Sequence, residues 1–434
     1  MNLLHANDRA GEYPASWYAE TATPLAPFAP LRGAARADVV VVGGGYTGLS
    51  AALHLAGRGY DVTLLEAHRL GFGASGRNGG QVGSGQRLEQ DALERMAGGA
   101  AARALWDLGE EAKALVKALI LDQRMDVTFH PGIVHACRTG PEVRAAHAYA
   151  DMLRSSYNYH QIEALDRDDL HAILPSAAYV GGDLDMGAGH VHPLGFAFGL
   201  ARAAKAAGVR IFERSEVVRI TPGARVRVDT GDGHVEADHL ILACNGYLGD
   251  LAPRVAARVM PINNFIVATE PLGKRVVNVL RRNVAVADTR FVVNYFRLTE
   301  DGRLLFGGGE SYGYRFPRDI RAVVRKPMLQ VFPNLADVAL THAWGGTLAI
   351  TRTRMPHFTR LAGNILSASG YSGHGVAMAT LSGRLLAEAV AGQAERFDLM
   401  AGLPAPGFPG GAALRSPLLA LAMTWFALRD RLGI

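Results

Sequence analysis

The sequence predicts an α/β fold in which a Rossmann-type nucleotide-binding domain is interleaved with an antiparallel-sheet α+β domain. Three observations support this prediction. The chain has 434 residues, which is beyond the size at which a single hydrophobic core stops growing. An apolar strand pattern at residues 38–43 leads directly into a glycine cluster and a helical pattern. Later segments alternate polar and apolar residues between turn residues, as antiparallel strands do.

The predicted domains are discontinuous along the chain. Residues 1–37 are rich in Pro, Ala and Gly and are predicted to be an arm or an extended cover without regular elements. The nucleotide-binding domain is assigned to residues 38–87, 186–255 and 343–395. The second domain occupies the two gaps, residues 88–185 and 256–342. The remainder, 396–434, is a tail whose apolar stretch at 416–428 predicts a helix docked on the protein's own core, with a membrane-surface helix as the alternative.

The nucleotide-binding domain opens with a strand, a helix and a second strand. Residues 38–43 are an apolar, β-branched run, which suits a strand that is buried on both faces of a parallel sheet. Apolar residues then recur at helical spacing over 49–56, until Gly57 ends the helix. Residues 61–65 are a second apolar strand. These three elements predict a βαβ unit.

The remaining elements follow from the same two periodicities. In the first part of the second domain, helices are interrupted by a strand-like stretch at 127–136. The next elements are a helix and strands, predicted at 196–207, 209–214, 217–221, 225–230, 234–237 and 239–244. The second part of that domain contains strands and one helix, predicted at 265–269, 291–298, 303–307 and 320–332. A helix with apolar positions from 376 to 389 closes the nucleotide-binding domain.

Composition excludes several classes of protein. The 45 basic and 40 acidic residues give a formal net charge of +5, but the basic residues are spread along the chain and predict no nucleic-acid-binding stripe. Cys137 and Cys244 are far apart, which excludes a disulfide scaffold and a zinc ribbon. The sequence has neither an apolar segment of membrane-spanning length nor the apolar core of a secretory signal. We therefore expect a cytoplasmic protein, either a monomer or a small homo-oligomer.

A glycine motif follows the first strand. In Gly43-x-Gly45-x-x-Gly48, the glycines serve a tight turn, close approach of the backbone to a pyrophosphate, and close packing of helix on strand. Free N–H groups at the helix start bind phosphate oxygens. Glu66, at the end of the next strand, can accept hydrogen bonds from a ribose diol. The motif predicts dinucleotide binding, and a glycine turn that serves packing alone is the alternative.

Two further loops indicate which dinucleotide is bound. Residues 71–81, Gly-Phe-Gly-Ala-Ser-Gly-Arg-Asn-Gly-Gly-Gln, can press backbone against a flat ligand. Residues 369–375, Ser-Gly-Tyr-Ser-Gly-His-Gly, precede a helix whose positive end suits the negative charge of a reduced flavin. A nicotinamide-linked enzyme has no obvious need for these loops. They favour a flavin, with the nicotinamide-linked enzyme as the alternative.

These segments together resemble a known family. Residues 39–81, Asn245-Gly246, the stretch from Trp344 to Pro356, and residues 368–375 resemble the D-amino-acid oxidase and sarcosine oxidase class of FAD-dependent amine oxidoreductases. Within that class, residues 73–81, 294–303 and the end of the chain resemble bacterial γ-glutamylputrescine oxidases. The resemblance implies an FAD-binding Rossmann domain of the GR2 type and an antiparallel-sheet substrate domain, with the isoalloxazine ring at their junction.

The resemblance also implies which residues bind FAD. The pyrophosphate would contact Gly43, Gly45, Tyr46, Thr47 and Gly48, the ribose Glu66, and the adenine the backbone of Val217. The flavin would contact Ala74, Ser75, Asn78, Gly79, Gly80 and Gln81, with Gly373, His374 and Gly375 at the N1 side of its ring. Further cofactor-binding candidates are Ala67, Arg69, Gly73, Arg77, Cys244, Asn245, Gly246, Gly345 and Gly370. The flavin-attachment cysteine of sarcosine oxidases has no counterpart here, so we expect non-covalent FAD.

The activity implied by the resemblance is oxidation of a small amine, such as γ-glutamylputrescine. A hydride would pass to flavin N5, and aldehyde, ammonia and hydrogen peroxide would form with dioxygen as the electron acceptor. Sarcosine oxidases carry a lysine near the flavin, which residues 303–307 lack. Either Arg303 or a cationic His374 would supply that charge, or the acceptor is a quinone or carrier, as in a dehydrogenase. A protein that keeps FAD without turnover is a further alternative.

The catalytic candidates are His374, Tyr295 and Arg297. His374 would be a hydrogen-bonding residue at the helix start or a base. Tyr295 and Arg297 would clamp a glutamyl carboxylate or belong to a solvated strand face.

Two other patterns are given a structural interpretation. His190 and His192 could bind a metal ion, but no third ligand is evident in the sequence, so we predict no metal site. Ser75 and Ser372 lack the second glycine of a hydrolase elbow. Trp17 and Tyr18 would line an entrance or cover the core.

Overall fold

The computed structural model describes residues 2–311 and 313–409. Its strands are β1 Gly33–Val42, β2 Val62–Leu65, β3 Gln81–Val82, β4 His130–Cys137, β5 Ile162–Leu165, β6 Gly181–His190, β7 Arg210–Phe212, β8 Val217–Thr221, β9 Val226–Thr230, β10 Gly233–Leu242, β11 Met260–Thr269, β12 Ala285–Asp288, β13 Tyr295–Leu298, β14 Leu304–Ser311, β15 Leu340–Ile350, β16 His357–Ala362 and β17 Ile365–Ser369. Its α-helices are α1 Trp17–Thr21, α2 Tyr46–Ala56, α3 Gln90–Ala97, α4 Gly99–Asp122, α5 Gly140–Tyr157, α6 Arg167–Ile173, α7 Pro193–Ala206, α8 Pro253–Ala256, α9 Ile320–Val331, α10 Gly375–Val390 and α11 Glu395–Ala401.

The first sheet has eight strands and contains the predicted βαβ unit. Its order is β16-β17-β10-β1-β2-β7. In addition, β9 pairs with β10, and β8 pairs with β9. β1 pairs in parallel with both β2 and β10, so that Val42 lies opposite Leu65 on one side and Leu242 on the other. Val39 and Val41 pack in the core that holds α2, whereas Val40 and Val42 pack in the core on the other face. The carboxyl ends of these three strands therefore meet at one edge of the sheet.

The second sheet has nine strands in the order β15-β11-β14-β13-β12-β4-β6-β3, with β5 beside β6. All of its pairs are antiparallel except β12 with β4. Phe265, Phe296 and Phe306 fill its core together with residues of α9, such as Met328. This mixed architecture confirms the predicted α/β fold with a largely antiparallel second sheet.

The N-terminal arm differs from the prediction. Residues 1–37 were expected to lack regular elements, but α1 and a 3-10 turn at Leu3–His5 form there, and β1 begins at Gly33. Ser16 caps α1 by accepting a hydrogen bond from the Ala19 N–H. Residues 33–37 pair with the first residues of β10, which is one continuous strand where two were predicted. This prediction was wrong because long-range pairing overrides local composition.

The sheets also bear on the domain assignment. The boundaries at 186 and 343 stay a proposal. The first falls inside β6 and the second inside β15, although both strands pair only within the second sheet. The predicted helix at 416–428 lies outside the described residues. Among the residues that are described, none of the helices is both long and apolar enough to cross a membrane.

Candidate functional site

A cavity of about 560 Å³ opens at the edge where β1, β2 and β10 end. Its walls come from both sheets. The first sheet contributes residues such as Gly43 and Glu66, and the second sheet contributes residues such as Asn264 and Tyr295. A cavity of this size is typical of small-molecule and cofactor sites.

The turn after β1 leaves no room for side chains at its glycines. Gly43 has a φ of +109°, and a Cβ atom there would lie 2.7 Å from the Ala243 carbonyl oxygen. A Cβ atom on Gly48 would lie 1.9 Å from the Gly43 carbonyl oxygen. Helix α2 is therefore seated directly on the end of β1. This close packing matches the roles that the sequence predicts for the first and third glycines.

Glu66 is tied to this turn through its carboxylate. Its Oε2 accepts a hydrogen bond of 2.7 Å from the Gly44 N–H, and its Oε1 accepts one of 2.8 Å from the His68 N–H. Burial raises the pKa of Glu66 to about 7, although both N–H groups favour the charged form. The carboxyl group lines the cavity. It can lose its proton when a ligand donates hydrogen bonds to it, because such bonds stabilise the charged form.

The loop at 71–81 is held rigid by its own hydrogen bonds. Asn78 Nδ2 donates to the carbonyl oxygens of Ala74 and Ser75, each at 3.0 Å, and Asn78 Oδ1 accepts from the Gly80 N–H at 2.7 Å. Tyr46 in α2 donates its hydroxyl proton to the Ser75 carbonyl oxygen at 2.7 Å. The loop is therefore fixed to the first turn of α2 beside the cavity.

Most of the predicted site residues line this one cavity. They are Gly43, Gly45, Tyr46, Thr47, Glu66, Ala67, Gly73, Ala74, Ser75, Asn78, Gly79, Gln81, Val217, Cys244, Asn245, Tyr295, Gly373, His374 and Gly375. The predicted residues outside its lining are Gly48, Arg69, Arg77, Gly80, Gly246, Gly345, Gly370 and Arg297.

The three arginines outside the lining have other partners. Arg69 forms an ion pair with Glu213 at 2.8 Å. Arg77 is 3% exposed and donates to the carbonyl oxygens of Phe72 and Gly345. Arg297 is buried, and its guanidinium is directed at the carbonyl oxygens of Gly79, Val191 and Leu298 and at the Tyr18 hydroxyl. The structure therefore gives Arg297 a role in packing, and the carboxylate clamp predicted for it is not supported.

His374 stands at the start of α10, as predicted. Its Nε2 lies 3.1 Å from the Gly85 carbonyl oxygen, to which it donates a proton. Burial, reinforced by the charge of Arg87, lowers the pKa of His374 to about 4. His374 is then neutral near pH 7. Arg303, the other predicted source of charge, bonds to Asp301 and to the Thr269 carbonyl and does not line the cavity. Neither expectation about the cation is supported.

Two arginines without a predicted role do line the cavity. Arg87 Nε donates to the Ser372 carbonyl oxygen at 3.2 Å. Burial, and then the positive charge of Arg354, lowers the pKa of Arg87. The Arg354 side chain forms no hydrogen bond or ion pair with any residue that the structure describes. Arg354 lies in the stretch from Trp344 to Pro356, but nothing in the sequence indicates where its side chain points.

Three non-glycine residues of the cavity wall have positive φ angles, as do Arg124, Asn158 and Arg214 elsewhere among the described residues. Asn245, Arg354 and Ser372 have φ angles of +48°, +64° and +54°, and all three line the cavity. Residues other than glycine adopt such angles at a cost of about 1–3 kcal/mol, and they are found mostly where a site imposes them.

The two histidines of the rejected metal site have separate environments. His192 caps α7, since its Nδ1 accepts a hydrogen bond from the Gly195 N–H at 3.0 Å. His190 is 1% exposed, and neither of its ring nitrogens has a hydrogen-bond partner among the described residues. Trp17 and Tyr18 are buried against Trp344, so they cover the core and do not line the cavity.

Comparisons of the sequence and of the structure with known proteins identify similar proteins. Residues 38–389 match the DAO family, described as FAD dependent oxidoreductase. The chain is 42% identical over 417 residues to the "Probable oxidoreductase OrdL" of Rhizobium meliloti (strain 1021), with 96% of this chain and 97% of that protein covered. It is 40% identical over 425 residues to the Gamma-glutamylputrescine oxidoreductase of Escherichia coli (strain K12), with 98% and 100% covered. The crystal structure of glycine oxidase from Geobacillus kaustophilus has the same fold, with a TM-score of 0.69 at 22% identity over 83% of this chain and 95% of that chain.

Proposed function

This chain belongs to the DAO family of FAD-dependent oxidoreductases, and from that membership we propose that it oxidises the amine of a γ-glutamylated polyamine such as γ-glutamylputrescine. The observation that carries the substrate assignment is the pair of guanidinium groups, Arg87 and Arg354, on the cavity wall. A γ-glutamyl group carries a free carboxylate, which guanidinium groups bind strongly. The relative from Escherichia coli, whose name specifies that substrate, supports the assignment.

The residues at the turn and in the loops fit FAD. A cradle of glycines that excludes side chains, a half-buried acid at the end of β2 and a cavity shared by both sheets are what a dinucleotide with a flat ring requires. Burial raises the pKa of the Cys244 thiol to about 12, so this thiol stays protonated on the cavity wall. That supports non-covalent binding. When bound, FAD supplies the acceptor for a hydride from the carbon next to the amine.

The surrounding side chains then bind and orient the substrate. Tyr295 donates its hydroxyl proton to Asn264 Oδ1, and burial raises the pKa of Tyr295, so the phenol stays neutral. Because that proton is committed, Tyr295 cannot donate to a carboxylate, but its oxygen can accept from an amine N–H. The carboxylate is therefore assigned to Arg87 and Arg354. The neutral His374 holds its proton on Nε2 towards Gly85 and is not a base in this proposal.

The reaction that we propose is balanced with dioxygen and water. One hydride leaves carbon and one proton leaves nitrogen, which gives an imine. Water adds to the imine carbon, ammonia leaves, and an aldehyde remains. Dioxygen takes up two electrons and two protons and becomes hydrogen peroxide.

A dehydrogenase that passes electrons to a quinone or carrier is the second candidate. One observation favours it. The lysine that sarcosine oxidases carry near the flavin has no counterpart in β14 or in the residue before it, and Arg303 bonds to Asp301 and does not line the cavity.

The decisive experiment uses the purified yellow protein and γ-glutamylputrescine. Anaerobic bleaching of the flavin, followed in air by one peroxide for each amine consumed, is the result expected of an oxidase. Bleaching that air does not reverse supports the dehydrogenase. A flavin that neither γ-glutamylated nor free amines bleach would overturn both proposals and favour a protein that binds FAD without turnover.

The raised pKa of Glu66 leads to a prediction about cofactor binding. In the cofactor-free protein at pH 6 the carboxyl is mostly protonated, and ribose hydroxyl donors would favour its charged form. FAD binding at pH 6 should then release close to one proton, and the release should vanish at high pH. Titration calorimetry in buffers of different ionisation enthalpy measures it.

The raised pKa of Glu66 also determines how the folding stability of the cofactor-free protein changes with pH. Because the folded state raises the pKa of Glu66 from 4.5 to about 7, the stability of the cofactor-free protein should fall as pH rises through that interval. Glu66→Gln should remove both effects. Equal proton release from this variant and the unaltered chain would contradict the assignment of Glu66 to the ribose.

A further inference from the structure

The N-terminal residues contribute to the wall of the cavity that we assign to FAD. Leu4 lines this cavity together with Ser215, Glu216 and Val217. Asn2 Nδ2 donates to Glu216 Oε1 at 2.9 Å, and His5 Nε2 lies 2.8 Å from Glu216 Oε2. Both carboxylate oxygens of a residue on the cavity wall are therefore bonded to the arm.

His68, in the segment that follows β2, binds the same turn of the arm. Its Nε2 donates to the Leu4 carbonyl oxygen at 2.7 Å, and its Nδ1 accepts from the Gly11 N–H at 3.1 Å. This pattern requires the neutral ring, and burial lowers the pKa of His68. The ring is stacked on Phe72 with centroids 3.9 Å apart, and Phe72 lines the cavity. The arm thus touches the loop at 71–81 as well as the segment at 215–217.

A second anchor lies a few residues further along the arm. Asp8 Oδ2 accepts from Arg77 Nη1 at 2.8 Å, in an ion pair whose arginine side chain is 1% exposed. Asn7 bonds to the backbone on both sides of Arg315, because its Nδ2 donates to the Tyr314 carbonyl at 2.8 Å and its Oδ1 accepts from the Phe316 N–H at 2.7 Å. Residues 2–8 therefore bridge the 71–81 loop, the 215–217 segment and the 314–316 segment.

We propose that residues 2–8 are part of the FAD site, as a wall at the end of the cavity lined by Val217 that slows release of the cofactor. The inference rests on the proposed position of FAD, but it does not depend on which amine is oxidised. Its chemistry is simple. Leu4 covers the ligand with an apolar side chain, and the polar residues on either side of it hold that cover closed against three separate segments.

The double substitution Asn2→Ala with His5→Ala tests the wall by truncating two exposed side chains, of which His5 also lies against the His68 ring, with ring centroids 5.5 Å apart. Both side chains contact Glu216 at the surface, so the melting temperature of the cofactor-free protein should hardly change. The rate constant of FAD dissociation, followed by the recovery of flavin fluorescence after dilution, should rise at least tenfold. Arg9→Ala is the matched control, because Arg9 is an exposed arm residue whose side chain is paired with Glu12, at 3.9 Å, and not with the cavity wall among the described residues. It should leave that rate constant unchanged.

Asp8→Asn tests the second anchor and should also speed dissociation. If this buried change prevents folding, the double variant still decides the question. A dissociation rate equal to that of the unaltered holoenzyme in the double variant would overturn the proposal. The dissociation assay uses no amine. A failure to oxidise γ-glutamylputrescine would therefore contradict the proposed substrate without affecting the measured rate of FAD dissociation.

Discussion

Replacement of Gly48 by alanine is expected to yield a protein that purifies without its yellow cofactor. The new Cβ atom would lie 1.9 Å from the Gly43 carbonyl oxygen and 3.3 Å from Val41 Cγ1, so helix α2 must move away from the end of β1. That movement displaces the N–H groups at the helix start from the phosphate positions. We expect FAD affinity to fall at least 100-fold, about 2.7 kcal/mol, as measured by fluorescence titration.

The matched control for this variant is Gly99→Ala. Gly99 is also a helical glycine, but a Cβ atom there would meet nothing within 4 Å. Its affinity for FAD should be that of the unaltered chain. Gly48→Ala protein that still binds FAD tightly would show that the turn after β1 does not grip the pyrophosphate.

Arg354→Gln is expected to destroy the preference for γ-glutamylated amines. Loss of one partner from a buried, hydrogen-bonded charge pair costs about 2–5 kcal/mol, so kcat/KM for γ-glutamylputrescine should fall by a factor of about 30 to several thousand. An N-acylated putrescine without a carboxylate should be oxidised as well by the variant as by the unaltered enzyme. Steady-state rates with both substrates separate the loss of the carboxylate contact from general damage.

Arg352→Gln serves as the control for that substitution. Arg352 is close to Arg354 in sequence, but it is exposed, does not line the cavity and donates to the Gly407 carbonyl oxygen. Its substitution should change neither rate appreciably. Equal losses with both substrates in Arg354→Gln would mean that this arginine does not bind the carboxylate.

The sequence predicted the cofactor half of the site better than the substrate half. Gly43, Gly45, Glu66 and the glycines around His374 are constrained locally, since each must satisfy a turn, a close approach or a helix start within a few residues of its own strand. The comparisons with known proteins confirm the family and its FAD cofactor. The individual contacts of these residues with FAD stay a prediction.

The substrate half depends on directions that no local pattern encodes. Arg297 and Arg354 are both arginines beside strand patterns, yet the first is directed into backbone carbonyls and the second into the cavity. The difference arises from the pairing of β13 with β14 and from a positive φ at Arg354. Neither can be read from neighbouring residues.

By itself, then, the sequence determined the βαβ unit and the two-sheet α/β fold, because these follow from short-range periodicity and from the steric demands of glycine. It also indicated the flavin family, through the resemblance of its motifs to known amine oxidoreductases. Only the tertiary structure decided which charged groups line the cavity, that Leu4 of the arm lines it, and that Gly383 lets α10 approach the Thr47 carbonyl. These features join segments that are far apart in the chain, and their geometry is set by packing between whole elements.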